Sequence, residues 1–209
     1  MPSLVTSRDE ARALKLARSQ PESSAALNAL LAEIGGRITQ FAKSDPRVRD
    51  RLADVRSRVL TVDYREDKPD DGERPVRLGE VGFYDYDNDV LVVAVVDPFA
   101  GELVGLEERR VSPPITLEEL AEALDLLTRR QSKLQAALKR RRARTAAFPA
   151  PTYAFVDGSG REGHRGCVVY VESEGRVLHG VVDLSARQVV ADRELDETLR
   201  GGRRGRAVT

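Results

Sequence analysis

The residues most capable of chemistry in this chain are scattered: His164 and His179 are its two histidines, Cys167 is its one cysteine, and several aspartates recur at predicted turns. Asp85, Asp87 and Asp89 alternate in DYDND, the spacing with which an EF-hand loop begins to ligate calcium. The rest of that loop is missing, because Val90 stands where the sharp turn needs glycine and Val96 where a bidentate glutamate closes the site. Asp97 and Asp183 each follow a Val-Val pair and could serve as paired carboxylates in acid–base work. A turn role explains both more simply, since aspartate accepts hydrogen bonds from amides two or three residues on. His164 lies in GSGREGHRG and His179 in a predicted strand, neither with a partner at a metal-binding spacing. That glycine-rich loop also lacks the GxxxxGK[ST] order of a phosphate cradle, so it reads as a flexible connection. Cys167 sits inside an apolar run, which predicts a buried thiol and not a nucleophile. No catalytic, cofactor-binding or metal-ligating residue is assigned, and the chain is expected to be non-enzymatic.

Basic residues form the other candidate constellation. Lys139, Arg140, Arg141, Arg142 and Arg144 cluster in one segment, and Arg200, Arg203, Arg204 and Arg206 in the tail. Both clusters could contact phosphates or a charged partner. Zero net charge, the lack of interleaved aromatic residues and the absence of a recognised module place nucleic-acid association second to protein interaction. Lys139, Arg140, Arg141, Arg142, Arg144, Arg203 and Arg204 are therefore the candidate interaction residues. The acidic excess between Asp63 and Arg109 supplies an opposite charge and makes self-association plausible.

Composition frames these residues. A content of 41% hydrophobic and 33% charged residues is that of a soluble globular protein with an ionised surface. The N-terminus lacks the pattern of a secretory signal, and no apolar run approaches the ~20 residues of a membrane span. A cytoplasmic protein without a membrane partner is expected.

The elements that must position these residues repeat. Val81 to Arg109 overlays without a gap on Cys167 to Leu195, with Tyr84 on Tyr170, Val95-Val96-Asp97 on Val181-Val182-Asp183, Ala100 on Ala186, Val104 on Val190 and Glu108 on Glu194. Such self-similarity implies an α+β tandem. The expected parts are an N-terminal helix over 1–22, a first unit over 23–112, a second over 113–195 and a basic flexible tail over 196–209. Ser7 with Glu10 reads as the capping box of the first helix, which Pro21 ends. Leu27, Leu30, Leu31, Ile34, Ile38 and Phe41 give a second helix weakened at Gly35-Gly36, and Pro46 opens a short third. Strands follow at Val59–Tyr64, Glu80–Tyr86, Val90–Val96 and Leu103–Glu107, with 65–77 an exposed loop. In the second unit Thr116 with Glu119 caps one long helix through Leu138, its last turn carrying Lys139 to Arg142. Strands are then predicted at Tyr153–Val156, Cys167–Glu172, Arg176–Val182 and Gln188–Ala191.

The segments VVDPFAGELVGLEE and VVDLSARQVVADRE, with the helix-opening PPITLEELAEAL between them, resemble the tandem N-terminal domains of copper amine oxidases. The resemblance implies two cystatin-like units, each a helix packed on a four-stranded antiparallel sheet. It does not imply the oxidase, whose separate catalytic domain uses three histidines for copper and a tyrosine, in an Asn-Tyr context, as quinone precursor. This chain has two histidines and no Asn-Tyr pair. Cystatins also inhibit proteases through a Gln-x-Val-x-Gly hairpin. Gln188 to Asp192 reads QVVAD, without the glycine and inside a predicted strand, so inhibition is not expected. The function expected is that of an interaction or assembly module, with nucleic-acid association or a small-molecule or peptide carrier as alternatives.

Overall fold

The computed structural model describes residues 3–18, 23–67, 76–140, 143–150, 163–174 and 176–195. The chain divides into two compact units, Met1–Val111 and Ser112–Thr209. Each is α+β, with a four-stranded antiparallel sheet whose strands pair in chain order.

In the first unit, helices α1 (Ser7–Arg18), α2 (Ser23–Ser44) and α3 (Pro46–Arg51) precede strands β1 (Ser57–Asp67), β2 (Val76–Asp85), β3 (Val90–Asp97) and β4 (Glu102–Arg109). The cap of α1 lies one residue before the expected Ser7–Glu10 pair. The Thr6 amide donates to Asp9 Oδ2 at 3.0 Å and the Asp9 amide to Thr6 Oγ1 at 3.3 Å. Arg37 also holds Asp9 at 3.1 Å, which ties the start of α1 to α2. The expected stop at Pro21 lies outside the described residues. Leu30, Ile34, Ile38 and Ala42 recur every fourth residue along α2 and are all buried, so one helix face packs on the sheet. Gly35 and Gly36 do not interrupt it, because packing of that stripe outweighs their low helix propensity. At Gly35 the helix passes so close to β1 that an added Cβ would stand 3.3 Å from Val62 Cγ1.

Phe83 and Val81 of β2 and Val92, Ala94 and Val96 of β3 complete this core. Every residue from Val90 to Val96 is buried, which is why β3 reads as a continuous apolar run instead of an alternating one. Strands extend into the expected 65–77 loop from both sides: Arg65 pairs with Leu78, Glu66 with Arg77 and Asp67 with Val76. Ladder hydrogen bonding there overrides the charged composition.

The second unit contains α4 (Leu117–Arg130), α5 (Ser132–Leu138), β5 (Arg144–Pro149), β6 (Gly166–Ser173), β7 (Arg176–Asp183) and β8 (Gln188–Leu195). Thr116 and Glu119 form the expected capping box. The single long helix expected here is instead broken at Gln131, which is extended at φ −120° and ψ 104°. The break closes α4 through Gln131 N–H to Leu127 O at 2.9 Å and opens α5 through Gln135 N–H to Gln131 O at 3.2 Å. Leu127 and Leu134, one on each helix, both reach full burial as a result. Because α5 ends at Leu138, Lys139 and Arg140 lie beyond the helix and do not form its last turn. Gly180 of β7 faces α4 where a Cβ would collide with the Leu127 side chain, so glycine admits the helix to the sheet. The edge strand is Arg144–Pro149; the expected strand Tyr153–Val156 lies outside the described residues.

The overlay of the two sequences needs one correction. Pairs Asp97↔Glu102, Val96↔Leu103 and Val95↔Gly105, with an irregularity between Val95 and Val96, recur as Asp183↔Gln188, Val182↔Val189 and Val181↔Ala191 with the irregularity between Val181 and Val182. The preceding strands are out of step, since Val96 faces Gly79 whereas Val182 faces Cys167. Counting from those partners, Tyr170 occupies the place of Gly82, not that of Tyr84. The cause is the hairpin turn, which is longer between Asp85 and Val90 than between Ser173 and Arg176.

Candidate functional site

The densest buried polar cluster among the described residues gathers around Arg165. Its side chain is fully buried with that of Glu119, Nε donating to Oε1 at 2.5 Å and Nη2 to Oε2 at 2.8 Å. Nη1 also reaches Pro113 O at 3.1 Å and Nη2 reaches Pro114 O at 3.0 Å. Glu119 Oε2 accepts in addition the Thr116 amide at 3.0 Å, so one carboxylate caps α4 and neutralises Arg165. Next in sequence, His164 Nδ1 lies 2.8 Å from Oδ2 of Asp183, which is wholly buried. The connection expected to be flexible is thus fastened at His164, within its described end. Arg165 N–H donates to Ser185 Oγ at 3.0 Å and Leu184 N–H to Arg165 O at 2.9 Å, lacing it to the β7–β8 turn.

A carboxylate-held imidazole has the orientation of a general base, but base catalysis also requires a nucleophile or substrate in reach. Cys167 offers none: burial, with the Glu119 charge, pushes its thiol up to about 12. Both turn aspartates act as expected. Asp97 Oδ1 accepts the Phe99 and Ala100 amides at 2.8 and 2.9 Å, and Asp183 Oδ1 accepts the Ala186 amide at 2.8 Å.

The oxygens of Asp85 are likewise spent within the protein. They accept the Asp87 and Asn88 amides, Asn88 Nδ2 at 2.8 Å and Arg51 Nη1 at 3.0 Å. Burial raises the Asp85 pKa, and the hydrogen bonds from Asn88, Arg51 and Asp87 outweigh it, holding the carboxyl below its ordinary value. Among the described residues no group of three or more His, Cys, Asp or Glu side chains could hold a metal ion. His179 stacks on Tyr170, the ring centroids 6.0 Å apart. Gln188 to Asp192 lie in β8 and not in an exposed hairpin loop.

Of the candidate interaction residues, Lys139 and Arg140 are exposed after α5, and Arg144 is exposed at the start of β5. Arg140 forms an ion pair with Glu174. Arg141, Arg142, Arg203 and Arg204 lie outside the described residues, as do Arg200 and Arg206.

A surface that sequence reading missed lies in the first unit. The N-terminal segment is fixed to the β3–β4 turn by the Leu4 and Val5 amides, which donate to Pro98 O at 2.8 and 3.1 Å. Beside it opens an apolar groove of about 290 Å³ whose walls include Val5, Leu27, Leu31, Ile34, Tyr64 and Phe99. Leu31, Tyr64 and Phe99 are 41%, 48% and 39% exposed. The helical period that assigned Leu27 and Leu31 to the second helix could have shown them flanking its buried stripe, but Tyr64 and Phe99 come from a distant strand and turn.

No family model matches the sequence, and no curated protein matches it. Among solved structures it is similar to a copper-containing benzylamine oxidase from Hansenula polymorpha, with a TM-score of 0.43 and 15% identity over 69% of this chain and 26% of that one. The chain thus spans about a quarter of the enzyme's length, and the likeness assigns it neither activity nor ligand. Among the described residues no helix is long and apolar enough to cross a membrane.

Proposed function

We propose that this chain is a non-enzymatic interaction module built from two related cystatin-like units, and that the groove of the first unit is its contact surface. The observation that carries the reading is the joint exposure of Leu31, Tyr64 and Phe99 around one apolar depression. Large apolar side chains gathered in one concave surface are unusual where nothing docks. The matching bulged hairpins β3–β4 and β7–β8 support a shared unit design. The depression accommodates a few apolar side chains of a partner segment, and Asp9 and Arg77 among its lining supply charge for orientation.

The test is quantitative affinity purification of the full chain from nuclease-treated and untreated lysate, run in parallel with Leu31→Asp and Phe99→Asp, together with sedimentation equilibrium of each protein alone. A stoichiometric partner, or a homodimer, that is lost in both variants while their melting temperatures hold is the expected result. Association unchanged by either substitution removes the groove from the interface. Recovery that depends on nucleic acid moves the module to the phosphate-binding class.

A further inference from the structure

The outermost strands are β1 and β4 in the first sheet and β5 and β8 in the second. An outermost strand presents unpaired amides and carbonyls to any other extended chain, and folds guard against this with bulges and charges. Leu60 of β1, Val104 of β4 and Val190 of β8 each stand as an extra residue that the neighbouring strand does not match. Each of these strands also carries acidic and basic residues, among them Asp63 and Arg65, Glu107 and Arg109, and Asp192 and Arg193. Strand β5 has neither protection along its centre. It pairs with β6 without a shift from Arg144 to Pro149, and Thr145 to Phe148 are uncharged. Arg144, Thr145, Ala146 and Phe148 are exposed, and among the described residues no strand pairs with the other side of β5. The Ala150 amide donates to Gly166 O at 2.8 Å and continues the ladder past the Pro149–Cys167 pair. Alternation from there turns the amides and carbonyls of Phe148 and Ala146 toward β6, and those of Ala147 and Thr145 toward the open edge.

We propose that β5 pairs antiparallel with β5 of a second copy of this chain, about a two-fold axis at Ala146. In that register Thr145 and Ala147 of one copy exchange backbone hydrogen bonds with Ala147 and Thr145 of the other. Ala146 meets its own counterpart at a non-hydrogen-bonded position, where Cα atoms approach to about 4.5 Å and a small side chain fits. Arg144, Ala146 and Phe148 share the sheet face turned away from α4. This follows because Gly180 faces Leu127 of α4, and Ala147 lies in the same row through Val169. Arg144 of each copy therefore stands opposite Phe148 of the other, a guanidinium beside an aromatic ring at both ends of the contact. That reciprocity is the requirement of an isologous interface. The ladder stops where Pro149 has no N–H and the Ala143 N–H is already given to Arg140 O at 3.1 Å. The edge shares no residue with the groove of the first unit, so it stands or falls independently of that reading.

Sedimentation equilibrium of the full chain and of Ala147→Pro tests the pairing. The Ala147 amide points away from β6, and proline is tolerated on an edge strand at such a position, so the variant loses only the outward donor. Melting curves check that it folds as the parent does. The average mass of the parent is expected to rise with concentration from one chain toward two, and that of the variant to stay at one. A parent that remains a monomer, or a variant that dimerises equally well, overturns the proposal. So does a dimer kept in Ala147→Pro but lost in Leu31→Asp, which would belong to the groove. Ala146→Cys and Phe148→Cys, incubated with oxidised glutathione, read the register without relying on the proline variant, since Cys167 is buried. Ala146→Cys should give a disulfide-linked dimer, and Phe148→Cys, which faces Arg144 of the second copy, should not. Failure of both to cross-link, or cross-linking of Phe148→Cys as readily as of Ala146→Cys, overturns the axis at Ala146.

Discussion

Arg165 and Glu119 meet in a two-point ion pair at 2.5 and 2.8 Å with both side chains shut off from solvent. The pair joins the start of α4 to the strand-entering segment before β6, and the guanidinium also binds the carbonyls of Pro113 and Pro114. Stability gained over an apolar pair of similar volume is small, because both charges are desolvated. Removing one partner is another matter, since it strands a buried charge. Arg165→Met or Glu119→Leu should each lower the stability of the second unit by about 3–5 kcal/mol in urea unfolding, and the double variant should recover much of that loss. Additive losses in the double variant would show that the two side chains are not energetically coupled.

Cys167 should be silent toward thiol reagents in the native chain. It is wholly buried in β6, and its thiol is held up to about 12 by burial first and by the Glu119 charge second. Reaction with iodoacetamide at neutral pH is therefore expected to follow unfolding and to accelerate in urea across the transition of the second unit. Rapid labelling of the folded protein would contradict the burial.

The features legible in the sequence were those with local rules. Thr116 and Glu119 are three residues apart, and the capping box they form is the expected one. That the same carboxylate receives Arg165 from 46 residues away has no local signature. Asp97 and Asp183 were readable as turn acceptors for the same reason, while the attachment of His164 to Asp183 was not. The misplaced Tyr84–Tyr170 equivalence arose because matching residue types favoured a gapless overlay. Backbone pairing places the difference in the hairpin turn, where a change in loop length leaves the following strand in register. The break at Gln131 escaped because Leu127 and Leu134 fit one uninterrupted helical period as well as they fit two helices.

Gly101 and Arg187 hold corresponding places at the ends of the β3–β4 and β7–β8 turns, both left-handed, at φ 67° and 54°. Only glycine adopts that conformation without a steric penalty. Gly101→Ala should thus destabilise the first unit by about 1 kcal/mol or more. Arg187→Gly relieves the backbone and loses an ion pair with Glu122 at 2.9 Å that is screened by solvent at its exposed Arg187 end, although the Glu122 side chain is largely covered. It should leave the second unit as stable as before or more so, and thermal melting of the two variants checks the contrast. A loss on Arg187→Gly as large as that on Gly101→Ala would assign the turn's stability to the side chain.

Acid should weaken the first unit through Glu80. Arg109 donates to its two oxygens at 3.0 and 2.9 Å and Arg65 adds a contact at 2.9 Å. The Arg109 hydrogen bond is the largest influence and, against the opposing effect of burial, holds the carboxyl below its ordinary 4.5. A carboxylate whose folded pKa is depressed stabilises the protein above its unfolded value, and that contribution disappears as pH falls through the folded one. Arg109→Met should accordingly lower stability most at neutral pH, with the gap to the parent chain narrowing below pH 4.5. Asp9, Asp45 and Asp85 are also depressed, and they remain in both proteins, so the variant keeps an acid transition of its own. Denaturation series across the acid range decide the matter: a gap independent of pH would mean that Arg109 acts through packing of its side chain and not through the charge on Glu80.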